Sequence, residues 1–327
     1  MKKITILLLS GLILLACNKS SKKSDYKNAG AMAHSVGRIN ELSVVIESDL
    51  WKGSLGDTIR KYFGAEVPGL PQEEPLFSMR QIPPKAFSGI ARKNRIFLKI
   101  EKGEKAAVNY LQNKYATPQL GAVLAGTSEA QIATLIRENV EKITNKLKDT
   151  ETLEKQRRIK KSLEKIPQLK EKFGITLDIP SAYRVAKDEE NFMWIRKDIP
   201  NGDMNLIIYE LPFTAISQDT NTISQIIKIR DSIGALKIPT DTGKFMTEEA
   251  YAPYLFENEL DGKYAYEIKG TWEIKDRYMA GPFVNFMIKD EKNNRLLVLE
   301  GFILAPSVRK RDNMFELEAI MKTVEFQ

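Results

Sequence analysis

The sequence predicts an α+β protein of two domains, each an antiparallel sheet with packed helices, joined by a charged helical segment. Three observations predict it. The formal charge changes sign along the chain: residues 17–173 hold 29 Lys and Arg against 18 Asp and Glu, and residues 174–327 hold 19 against 25. A helical period runs through residues 128–166, and beyond it several short β-rich runs follow one another with turn residues between them. Consecutive strands joined by short turns pair antiparallel, and helices on such a sheet give α+β. At 327 residues, with 43% hydrophobic and 28% charged, the chain is long enough for two cores. The domains expected are 33–173, basic, and 174–327, acidic.

The elements follow in order. Residues 41–47 hold Leu42, Val44, Val45 and Ile46, a strand. Trp51, Leu55, Ile59 and Phe63 recur every four residues on one helical stripe, which Gly64 ends. The segment Pro68-Gly69-Leu70-Pro71-Gln72-Glu73-Glu74-Pro75 is barred from helix by its prolines. Strands are expected over 77–82 and 95–100, around the Pro83-Pro84 turn, and a helix over 106–114. Ser128 with Gln131 forms a capping box, and Ile132, Leu135, Ile136, Val140, Ile143 and Leu147 follow as an apolar stripe. Leu153, Ile159, Leu163 and Ile166 prolong it thinly until Pro167, among ten basic and five acidic residues between Lys146 and Lys172. The second half offers strands over 175–179, 192–196 and 205–211, a helix over 222–236, and strands over 254–259, 264–274, 283–288 and 296–304. A last helix covers 312–324.

The chain starts with Lys2 and Lys3, a short apolar run from Ile4 to Leu15, then Ala16-Cys17. The run is too short to span a bilayer and has the form of a signal peptide over 1–16. Leu14-Leu15-Ala16-Cys17 resembles the lipobox of bacterial lipoproteins. That resemblance implies cleavage before Cys17, lipidation of its thiol and acylation, palmitate among the chains, of the new amine. Residues 17–32 are polar and small, a flexible tether. Asn18 is not the aspartate that resembles an inner-membrane retention signal, so the outer membrane and its periplasmic face are expected.

The lipobox, Gly69-Leu70-Pro71-Gln72 leading to Glu74-Pro75 and Phe77, and the Tyr115 to Gln119 segment together resemble an uncharacterised lipoprotein family of Bacteroidetes, domain-of-unknown-function family 4837. The family implies no activity. The second half is similar in element order to PsbP/Mog1-like α+β domains, through Ile179-Pro180, Tyr183, Phe192-Met193-Trp194 and the strands, helix and hairpins that follow.

Composition removes much of catalysis. One cysteine and one histidine cannot build a disulfide within one chain or a Cys/His zinc cluster. A Cys–His dyad would need Cys17, which the lipobox claims. Ser162-Leu163-Glu164-Lys165 lacks the partner motifs of penicillin-recognising enzymes, and Asp241-Thr242-Gly243 occurs once where an aspartic protease needs two. No catalytic residue, metal site or cofactor is therefore assigned. The candidate ligand-binding residues are Gln72, Glu74, Phe77 and Gln119, in two proline-stiffened turns expected to converge. The function expected is a non-catalytic, periplasm-facing lipoprotein for envelope assembly or ligand binding. The alternative is a carboxylate-dependent hydrolase of envelope glycan, through pairs such as Glu73–Glu74 or Glu248–Glu249. The partners expected are a membrane through the lipid anchor, and an anionic envelope polymer or a protein, with no nucleic acid.

Overall fold

In the computed structural model, residues 32–217, 221–275 and 277–327 are described. The signal peptide, Cys17 and the tether as far as residue 31 lie outside them. The first half runs β1 (Glu41–Val45), α1 (Ser48–Lys52), α2 (Ser54–Phe63), β2 (Ser78–Ile82), β3 (Ile96–Lys102), β4 (Ala107–Gln112), β5 (Leu120–Gly126) and α3 (Glu129–Ile159). The second runs α4 (Gln168–Phe173), β6 (Ile175–Thr176), β7 (Arg184–Asp188), β8 (Phe192–Ile199), β9 (Gly202–Pro212), α5 (Thr222–Lys237), β10 (Phe245–Thr247), β11 (Tyr254–Leu260), β12 (Lys263–Ile274), β13 (Met279–Asp290), β14 (Arg295–Leu304), α6 (Arg311–Met321) and β15 (Glu325–Phe326). The class is α+β, as the sequence predicts.

The first sheet has the order β2-β1-β3-β5-β4. The antiparallel pairing expected of it is corrected: β1 pairs parallel with β2 and β3, and β3 parallel with β5, so that only the edge strand β4 runs antiparallel. Parallel strands are buried on both faces, and β1, β3 and β5 are nearly continuous in buried residues. On one face Leu42, Val44, Ile96, Leu98, Ala122 and Leu124 meet Ile59 and Phe63 of α2 and Ile132, Ile136, Ile143 and Leu147 of α3. On the other, Val45, Ile82, Phe87 and Phe97 form a small second cluster. β5 escapes sequence patterning because it is rich in glycine and alanine. Gly121 is one of these, and a Cβ there would lie 2.1 Å from the Phe97 ring.

The helix expected over 106–114 is also corrected. The segment is the strand β4, whose Val108 and Tyr110 pack on the core at a period of two, and Asn113 ends it with a positive φ of 49°.

The second half is an eight-stranded antiparallel sheet of order β10-β12-β13-β14-β9-β8-β7, with β11 beside β10 on the same edge of β12. One face carries Met193, Leu206, Ile208, Val284, Phe286, Leu297 and Leu299, packed on Leu317, Ile320 and Met321 of α6. The opposite face carries Ile207, Trp272, Phe283, Met287, Val298 and Phe302, covered by Ile226 of α5. Leu169 and Phe173, placed in the first domain by the sequence, pack in the core of the second half.

His34–Gln327 forms one compact unit, and α3 is the main reason. At 31 residues it is about 46 Å long. Its first five turns lie on the first sheet, while near its end Lys155 pairs with Glu316 of α6 at 2.6 Å and Gln156 donates to the Ala319 carbonyl at 3.1 Å. The apolar stripe expected through Leu153 and Leu163 breaks here: both are exposed, and Glu151 and Glu154 take the inward positions. Arg95, at the head of β3, meets them. Its Nε donates to Glu151 Oε1 at 2.8 Å, its Nη2 to Glu151 Oε2 at 3.0 Å and to the Arg38 carbonyl at 2.8 Å, and the Asn40 N–H also donates to Glu151. Arg95 and Glu151 have 1% and 0% side-chain exposure, a buried ion pair where a patterning argument expects leucine.

Candidate functional site

The two proline-stiffened turns do not converge, which corrects the shared site expected of them. The chain at 66–75 is a loop closed by a bridge between Glu66 and Pro75 and by a hydrogen bond from Val67 N to the Glu74 carbonyl at 2.9 Å. Glu74 is buried and turns toward α6. Its Oε1 accepts from Lys310 N at 2.6 Å and its Oε2 from Arg311 N at 3.2 Å, so a side chain from the first half satisfies the first amides of a helix in the second. Gln72 Oε1 accepts from Lys310 Nζ at 2.7 Å. Burial holds the Lys310 ammonium below its usual pKa, with Glu74 opposing.

Gln119 is enclosed elsewhere. Its Nε2 donates to the Arg92 and Asn94 carbonyls at 2.6 and 2.8 Å, and its Oε1 accepts from Tyr115 N at 2.9 Å. It precedes β5 while Glu74 and Phe77 precede β2, and β1 and β3 lie between those strands. Three strand spacings of about 4.8 Å separate them. Phe77 is fully buried in the first core. Gln119, Glu74 and Phe77 thus hold the fold together; Gln72 alone of the four is exposed.

The two acidic pairs do not form convergent couples. Both oxygens of Glu74 are taken by backbone amides, and Glu73 is exposed. Glu249 is ion-paired with Lys275 at 3.0 Å. Among the described residues no group of three or more His, Cys, Asp or Glu is placed to hold a metal ion, and no helix is long and apolar enough to cross a membrane.

The parallel sheet creates a different site. β2 lies on one side of β1 and β3 on the other, so the chain changes direction of travel between β1 and β3. In open sheets of this kind a crevice opens beyond the carboxyl ends of the strands at such a point. A cavity of about 1070 Å³ lies there. Glu47 and Leu50 enter it from the end of β1, Pro84 from beyond β2, Lys99 to Lys102 from β3, and Gly126 to Ala130 from the β5–α3 turn. Ile100 and Ile132 form a buried apolar floor.

The turn is fixed by capping. Ser128 Oγ accepts from Gln131 N at 3.3 Å, as the capping box predicts, while Gln131 Oε1 reaches back to Thr127 N at 2.8 Å, one residue earlier than a reciprocal box would. The N–H groups of Glu129 and Ala130, the first two of the helix, have no partner within it and border the crevice. Lys99 pairs with Glu101, and Lys102 is exposed. The site thus combines amide donors, one uncommitted ammonium and the Glu47 and Glu129 carboxylates over an apolar floor. Nothing in the sequence marked it, since it depends on parallel pairing. The only local signal was the capping box, which placed a helix start without saying what faces it.

Comparison with known proteins agrees with the division at the end of α3. Residues 162–323 match the model of a domain of unknown function, DUF4837, and residues 35–160 match a second one, DUF8532. The match to family 4837 covers the second half, and the Gly69–Phe77 and Tyr115–Gln119 segments lie in the part matched by the other model. No curated protein matches the chain. Among solved structures, the chain is similar to the Ran-binding protein Mog1p of Saccharomyces cerevisiae, at 8% identity over 47% of this chain and 90% of that one, TM-score 0.31. It is also similar to LpqN of Mycobacterium tuberculosis, described as involved in cell envelope biogenesis, at 13% identity over 47% and 83%, TM-score 0.29. Human StAR-related lipid transfer protein 5 gives 7% identity over 43% and 85%, TM-score 0.23. These scores are too low to define a shared fold.

Proposed function

We propose that this protein is a non-catalytic ligand-binding lipoprotein of the cell envelope, anchored through a lipidated Cys17 on the periplasmic face of the outer membrane, and that it takes a small polar ligand into the crevice beyond the parallel sheet. The crevice carries this reading. Its volume of about 1070 Å³ is just above that of common ligand pockets, which run roughly 300–1,000 Å³. The α3 amides and Lys102 suit a carboxylate or phosphate end of the ligand, Glu47 suits hydroxyls, and Leu50, Pro84, Ile100 and Ile132 suit an apolar body. The sequence Leu14-Leu15-Ala16-Cys17 supports the anchor.

Ala130→Trp tests the crevice, because Ala130 is exposed at its mouth and a large ring fills it without touching the core. A panel of carboxylated and phosphorylated sugars and small metabolites is screened by thermal shift. A ligand at a hundred times its Kd adds about 2.7 kcal/mol, or roughly 5–10 °C, to the native protein. The expected result is a compound that stabilises the native chain and not the Ala130→Trp variant. Equal stabilisation of both, or no response from the native chain, refutes the site.

A further inference from the structure

A second concavity lies away from the crevice, where the proline segment meets the second sheet. It is a groove of about 660 Å³ walled by residues 66–73 on one side and by 250–252 and Tyr254 on the other, with Gly270 and Thr271 of β12 at its floor. Gly69 makes the closure. Its φ is +79°, and a Cβ there would lie 2.8 Å from Gly270 N and 2.9 Å from the Lys269 carbonyl carbon, so the loop lies backbone to backbone on β12. Pro68, Pro71 and Pro253 stiffen the two walls.

The chemistry of the lining is uncommon for a solvated surface. Tyr251 and Tyr254 are 57% and 52% exposed, and the Tyr254 ring runs parallel to Phe256, with centroids 6.4 Å apart and planes at 8°. Thr271 is 2% exposed, and its hydroxyl has no hydrogen-bond partner, which a buried polar group seldom tolerates. Gln72 commits its Oε1 to Lys310, leaving its Nε2 hydrogens uncommitted beside the exposed Glu73.

We propose that this groove binds an oligosaccharide without net negative charge. Sugar rings present an apolar C–H face and an edge of hydroxyls. Exposed tyrosine rings take the first by stacking, and a carboxylate, an amide and a hydroxyl take the second as paired donors and acceptors. Glu66 and Glu73 stand in a lining with no lysine or arginine among its described residues, and repel phosphate and carboxylate, whereas the crevice carries Lys102. The groove is an open cleft between stiff walls, so a chain passes through it at little cost in ordering the protein. Because one wall comes from each half, the binding site exists only in the joined molecule.

The experiment is calorimetric titration of the full-length chain in detergent with chitotetraose, cellotetraose and maltotetraose, and with inositol hexakisphosphate as the anionic probe. At least one of the three sugars is expected to bind. Tyr251→Ala and Tyr254→Ala should each weaken it tenfold or more, and Thr271→Val should weaken it with the fold unchanged. Tyr278→Ala, on a fully exposed ring that does not border the groove, should leave it as it was. The tyrosine variants remove exposed rings, and unchanged thermal denaturation confirms that they fold. Three outcomes overturn the proposal: no sugar binds at millimolar concentration, binding survives both tyrosine substitutions, or the anionic probe alone binds and is lost in those variants.

Discussion

Replacing Arg95 with methionine should cost this protein stability in a way that depends on pH. The methionine fills much of the volume but leaves the Glu151 carboxylate at 0% exposure with the Asn40 N–H as its remaining close donor, and leaves the Arg38 carbonyl without its donor. Removing one partner of a buried pair typically costs about 3–5 kcal/mol. Burial already raises the Glu151 pKa, with Arg95 opposing that rise, so losing Arg95 raises it further. A carboxyl group whose folded pKa lies above its unfolded value takes up a proton on folding, and the stability tied to it is lost as pH rises. The deficit of Arg95→Met relative to the native protein is therefore greatest at neutral pH. It shrinks on acidification, at most by about 1.4 kcal/mol per pH unit, as the folded variant takes up a proton that the native pair does not hold. Urea unfolding at pH 7 and pH 5 should show a loss of about 3–5 kcal/mol at the first and a smaller one at the second. A loss below about 1 kcal/mol at pH 7, or one equal at both pH values, would refute the role given to this pair.

Three further outcomes are expected. Gly69→Ala forces a side chain into a positive-φ site already in contact with β12 and should lower stability by about 1–3 kcal/mol in thermal denaturation, whereas Gly89→Ala, at φ +50° with open space around it, should cost less. Burial raises the Glu154 pKa but is outweighed by Arg157, Arg158 and Arg95, which bring it to about 2, and Lys155 and Lys197 likewise hold Glu316 down against burial. Depressed carboxylates contribute stability that is full above about pH 4.5 and lost as pH falls toward 2, so the melting temperature should drop across that range, and a flat profile there counts against the ion pairs. Cys17→Ala should move the protein from the membrane pellet to the supernatant; unchanged sedimentation with membranes removes the lipid anchor.

The parts of the fold legible in the sequence are those in which one local pattern decides one element. β12, β13 and β14 are long alternating or apolar runs with turn residues between them, and their hairpins follow directly. The stripe from Ile132 to Leu147 places the first turns of α3 equally well. The first sheet was harder because its pairings are non-local: β1 finds β3 across two helices and β2, and no residue in either strand encodes a parallel partner. Edge strand β4 looked helical because its apolar residues are few, and only the alternation of Val108 and Tyr110 distinguishes it. The candidate site suffered from the same cause. Gln72, Glu74 and Gln119 stand out in the sequence as polar groups in stiff turns, yet what decides their role is the partner, and the partners of Glu74 lie 236 and 237 residues away at Lys310 and Arg311. Arg95 and Glu151 were invisible for the related reason that each is an ordinary surface residue until the other covers it.

The boundary between the two family-matched regions falls at residue 160, just where α3 ends, yet the helix itself belongs to neither side alone. A gene fragment cut there would carry away the second sheet without Lys155 and Gln156, and without Glu74 over the first turn of α6, leaving the face around Glu316 and Ala319 open to water. The fragment ahead of the cut would keep Glu151 and Glu154 on Arg95, but Lys155 and Gln156, one turn further on, would lose Glu316 and the Ala319 carbonyl. Shuffling these regions into other chains therefore means transplanting the helix's outer end and the proline loop as well. Recombination at the linker would preserve both sequence signatures and still break the joint that makes them one body.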